Sequence, residues 1–122
     1  MKIRIHDDSV RLRLDRQEVE RIRRGETVTC HTHFPRDRVL VYQLAVHDGL
    51  HVAASFHDHT ISIVVPRATA ERWAATDEVS IHGEEIAGGT RLKLLIEKDF
   101  ECLEPRTGED QSNRFPNPNA SH

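Results

Sequence analysis

Aromatic side chains are scarce in this sequence: Phe, Trp and Tyr make up 5% of 122 residues, with a single Trp and a single Tyr. A core without aromatic bulk has to rest on Val, Ile and Leu. Cysteine is scarcer still, and the two present, Cys30 and Cys102, are too few for a disulfide framework and match no zinc spacing. No apolar run is long enough to span a bilayer, and the opening MKIRIHDDSV lacks the apolar stretch of a signal peptide. The expectation is a cytoplasmic protein with both cysteines as thiols. An excess of basic residues is also missing, since the formal charge is −3. That argues against a general nucleic-acid binder. There is no Gly-rich phosphate loop, no GxSxG and no HExxH, and no internal repeat is evident.

What is present describes one domain, long enough to bury roughly two-thirds of its unfolded surface. Residues 2–6 and 10–14 alternate apolar and charged, with Asp7-Asp8-Ser9 as turn chemistry. Asp15 with Glu18 three residues on makes a capping box for a helix whose apolar stripe is Val19 and Ile22 and which stops at Gly25. Residues 26–34 and 38–46 read as strands. Asp48-Gly49 reads as a tight hairpin into 51–56, and Asp58 as a second turn into 60–65. Pro66 opens a short helix through Ala75, and strands follow at 79–82 and 92–97 around Gly88-Gly89. The order is ββαββββαββ. It predicts an α+β fold, mainly antiparallel sheet or a partly open barrel, over residues 1–104, with a polar C-terminal arm from 105 to 122.

Two histidine pairs raise the question of a metal. On a strand, His31 and His33 share a face with Cα atoms roughly 6.5–7 Å apart, a spacing that suits Zn²⁺, Ni²⁺ or Cu²⁺. Cys30 then faces the other way with Thr32 and Phe34, toward the core. His57 and His59 flank Asp58 in a turn. A divalent transition-metal site built from His31, His33, His57 and His59 would need strand neighbours that the sequence does not specify. The simpler reading is exposed polar positions on sheet and turn.

Charge is distributed unevenly: residues 1–47 hold ten Lys or Arg against seven acids, and residues 48–122 seven against thirteen. Protonating all nine histidines would take the formal charge from −3 to +6. Lys2, Arg4, Arg11 and Arg13 share the outer face of the first hairpin, where like charges repel unless something anionic covers them. The partner is either internal (Glu97, Asp99, Glu101, Glu104, Glu109 and Asp110 crowd the last quarter) or an external anion. A hydrolase-like alternative would use Glu97, Asp99 and Cys102 as paired carboxylates and a thiol. Against it, Cys102 reads as a small buried hydrophobe beside Phe100 and Leu103.

The span ISIVVPRATAERWAATDEVSI also has the layout of a half-barrel in AbrB-like transcription factors, but Arg67 and Arg72 face Glu71, Asp77 and Glu78 there, so the basic clusters are missing. A resemblance covering nearly the whole chain rests on MKIRI with VRLRLDRQEVERI at the start and EKDFECL with EDQSNRFPNPNA at the end. In these the chain is similar to DUF7009, a family of small uncharacterised bacterial proteins. The resemblance implies no activity, cofactor or catalytic residue. The sequence therefore favours binding over catalysis. The expected ligand-binding set is Arg4, Arg11, Arg13, Glu97, Lys98, Asp99 and Cys102, for an anionic small ligand or a protein partner, with a homodimer through a strand edge as a further expectation.

Overall fold

The computed structural model describes residues 1–100. Cys102 and the arm expected from 105 onward lie outside the described residues. Eight strands and two helices follow one another as β1 (Lys2–His6), β2 (Ser9–Leu14), α1 (Arg16–Arg23), β3 (Val28–Phe34), β4 (Arg38–His47), β5 (Ala53–His57), β6 (Thr60–Pro66), α2 (Arg67–Ala75), β7 (Ser80–Ala87) and β8 (Thr90–Lys98). The fold is α+β in the expected order. Turn chemistry sets the hairpins. Asp7, Asp58 and His59 take positive φ in two-residue loops, and Gly88 and Gly89, at φ 58° and 84°, supply that geometry between β7 and β8 without strain. At α1, the Asp15 side chain accepts from the Glu18 amide while Glu18 reaches back to the Asp15 amide, so the capping box is formed.

The strands form two four-stranded mixed sheets, ordered β1-β2-β8-β7 (sheet A) and β3-β4-β6-β5 (sheet B), and neither closes on itself. Most neighbours are antiparallel. The two central contacts, β2 with β8 and β4 with β6, are parallel. One expectation fails here. Asp48-Gly49 does not close a hairpin, because β4 pairs with β6 rather than β5, and residues 48–52 form a crossover connection. A parallel partner needs that crossover, which local turn chemistry does not reveal.

The chain also contains a repeat that its sequence does not advertise. Each half runs hairpin, helix, hairpin, and each sheet takes one hairpin from each half. Exchanging the halves carries β1-β2-β8-β7 onto β5-β6-β4-β3, a pseudo-two-fold relation. Buried residues correspond across it: Leu12 with Ile63, Leu14 with Val65, Ile22 with Trp73, Val28 with Ile81 and Leu44 with Ile96. The two helices pack against each other. Aliphatic residues make this core, as the scarcity of aromatics requires, with Trp73 the one fully buried aromatic among the described residues.

The sheets meet along two seams without a continuous ladder. At one, the Tyr42 hydroxyl donates to the Met1 carbonyl at 3.1 Å and the Cys30 Sγ approaches the same oxygen at 3.6 Å. At the other, the Ala54 amide donates to Glu85 Oε1 at 3.0 Å, and a Cβ at Gly83 would lie 2.5 Å from the Cβ of Val52. Only glycine permits that approach. Cys30 is half-buried toward the core side as expected. Thr32 and Phe34 are not buried, because β3 runs past the end of the core and leaves Phe34 53% exposed.

Candidate functional site

Sheet A presents an outer face of alternating side chains. Lys2, Arg4 and His6 come from β1, Arg11 and Arg13 from β2, Lys93, Leu95 and Glu97 from β8, and His82 and Glu84 from β7. Parallel pairing of β2 with β8 sets Arg13 opposite Glu97. The Glu97 carboxylate lies between both arginines. Its Oε1 accepts from Arg11 Nε at 2.7 Å and Arg13 Nε at 2.9 Å, with Arg11 Nη2 at 2.6 Å. Burial pulls the Glu97 carboxyl upward, but the hydrogen bonds from Arg13 and Arg11, with their positive charge, outweigh it and hold the group below the ordinary carboxylate range. The side chain is 12% exposed. One carboxylate thus relieves the repulsion that the hairpin alone would suffer, and it fixes two guanidinium groups whose remaining N–H groups have no other acid partner among the described residues.

Beside this cluster a concavity of about 1040 Å³ crosses all four strands, bordered by Arg4, His6, Arg11, His82, Glu84 and Lys93. Glu84 lies 3.6 Å from Arg91. Neither Arg4 nor Lys93 forms an ion pair with any described residue. The concavity therefore carries net positive charge at its rim over a floor of sheet backbone.

The sequence-expected residues divide. Arg4, Arg11, Arg13 and Glu97 come together, Arg4 directly across from Arg11. Asp99 pairs with Lys2, Oδ2 to Nζ at 3.1 Å, at the far end of the same sheet. Lys98 points to the other side, donating to the Thr76 carbonyl at 2.7 Å and lying over the Trp73 ring. Cys102 is outside the described residues. The concavity adds His6, which alternation places on the same hairpin face as Arg4, and also His82 and Lys93, which sequence reasoning missed. Alternation in IHGEE and RLKLL marks their face, but only the β2–β8 pairing puts that face beside Arg11.

The histidine pairs stay apart. His31 and His33 share the outer face of sheet B with ring centroids 6.5 Å apart. His57 lies on the same face and in the same row, reached through Val41 and Thr60. That is three strand spacings from His31, about 14 Å. No group of three or more potential ligands gathers among the described residues.

Fold and face together define an α+β protein of two interleaved mixed sheets, one carrying a basic, internally braced outer surface. The chain belongs to DUF7009, a family of unknown function whose model matches residues 1–119. No curated protein and no solved structure matches it. No helix among the described residues is long and apolar enough to cross a membrane.

Proposed function

We propose that this chain is a cytoplasmic bacterial binding module for a small ligand bearing oxyanion groups, held in the concavity of sheet A. The observation that carries the reading is the charge balance there: Arg4 and Lys93 lack ion-pair partners among the described residues, while Glu97 braces Arg11 and Arg13. An oxyanion placed there accepts charge-assisted hydrogen bonds from Arg4 and Lys93, which no described acid engages, and from Arg11 N–H groups that Glu97 leaves over. The volume suits a drug-sized molecule. Among the described residues of this face no hydroxyl or thiol is hydrogen-bonded to a histidine or carboxylate side chain, which supports reading the face as a binding surface.

Thermal unfolding with inorganic phosphate, pyrophosphate or citrate, against sodium chloride of matched ionic strength, tests it. A ligand at 100 times its Kd adds about 2.7 kcal/mol of stability. The expected result is a saturable rise in Tm with at least one anion, lost in Arg4→Ala and kept in Arg72→Ala, an α2 residue whose guanidinium pairs with Glu78. A rise no larger than that with chloride, or one that survives Arg4→Ala and Lys93→Ala together, overturns the assignment.

A further inference from the structure

The pseudo-two-fold relation allows the two outer faces to be compared position by position, and they differ in one respect. Where sheet A carries Arg11, Arg13, Lys93 and Glu97, the equivalent positions of sheet B hold Ser62, Val64, Val41 and Ala45. No outward position of sheet B, among the described residues, is Lys, Arg, Asp or Glu. Its middle is small and apolar or hydroxylic, and Gln43 crosses it, accepting from Thr29 Oγ1 at 3.4 Å and donating to Ser62 Oγ at 3.2 Å. With histidine counted neutral at pH 7, the face has no formal charge in a chain that is 30% charged. A solvated antiparallel face ordinarily alternates apolar-in with polar or charged-out.

We infer that the outer face of sheet B is the contact between two copies of this chain. Charge selects the occupant. A face without charge offers no handle to a charged partner, but it meets its own copy about a two-fold axis with nothing to repel. A carboxylate-rich occupant is disfavoured, because no outward position of sheet B among the described residues is Lys or Arg. Area fits as well. Four strands about 4.8 Å apart and roughly six residues long give a footprint of about 19 by 20 Å, and side-chain relief raises this to on the order of 600 Å² per copy. That reaches the lower end of specific interfaces, about 1,200 Å² in total. The small side chains let the two sheets stack at close to the usual 10 Å.

An interface of this size predicts a dimer that dissociates in the micromolar range. Sedimentation velocity of the full chain at neutral pH, from about 5 to 200 μM, reads it directly. The expected result is a concentration-dependent shift to twice the chain mass, weakened at least tenfold by Val41→Arg. Ser62→Glu, in the middle of the face but without an apolar side chain to lose, gives the same weakening if Val41→Arg compromises folding. Lys93→Glu, at the equivalent position of the opposite sheet, leaves the dimer intact. A wild-type chain that stays monomeric throughout, or a dimer that survives both Val41→Arg and Ser62→Glu in folded protein, overturns the inference.

Discussion

Glu97 shows how one side chain can decide the character of a surface. Without it, Arg11 and Arg13 would stand next to each other on one strand face with Arg4 opposite Arg11. With it, two guanidinium groups share one oxygen. The sign of its pH dependence follows from the depressed carboxyl. Its contribution is present above the unfolded-state value, about 4.3 for Glu, and is lost as pH falls through the lower folded value. Glu97→Gln is therefore expected to cost about 1–3 kcal/mol at pH 7, in the range for breaking a largely buried charged contact. It should cost much less near pH 2. Urea unfolding at the two pH values checks this, and an equal loss at both would sink the account. The residues of this cluster were legible in the sequence, since alternation put the arginines on one face and an acidic cluster was noted at 97–101. Their meeting was not legible, because the β2–β8 contact joins positions more than eighty residues apart.

The helices carry the same burden by different means. At α1, Asp15 and Glu18 cap one another. At α2 the equivalent N-cap is Pro66, which makes no side-chain cap hydrogen bond, so this helix depends on burial. Trp73 supplies it: the ring is fully buried, and its Nε1 donates to the Val79 carbonyl at 2.9 Å. Trp73→Ala is expected to cost about 3–5 kcal/mol, against about 1 kcal/mol for Asp15→Ala. Chemical denaturation of the two variants should rank them in that order. Both helices were legible from caps, stripe and proline, because those signals are local. The strands at 80–87 and 90–98 outrun the shorter spans that periodicity marks, since pairing partners extend a ladder past the residues with a clear pattern. The crossover at 48–52 was misread for the opposite reason. Asp-Gly is a genuine hairpin signal, and here the sheet overrides it.

At the scale of the whole molecule, the repeat stayed hidden because equivalent core positions hold different aliphatic or aromatic residues of similar burial, as with Ile22 and Trp73. A trace survives in the first hairpin and helix: His6, Asp7, Arg16, Glu20 and Arg21 recur in step as His57, Asp58, Arg67, Glu71 and Arg72. The halves interleave, so neither can build a sheet alone and the fold should form as one cooperative unit with slow, non-local pairing. The ion pair between Lys2 and Asp99 adds one more consequence. It holds the finish of β8 against the start of β1, and the pseudo-two-fold relation equates that gap with the one bridged by residues 48–52. Chain connectivity is thus interchangeable with geometry: a circular permutant of residues 1–100, opened within the 48–52 loop and closed from 100 to 1 by a linker of about five residues, should recover the native circular-dichroism spectrum and unfold in a single transition. The order in which the strands are synthesised is then incidental to where they end up.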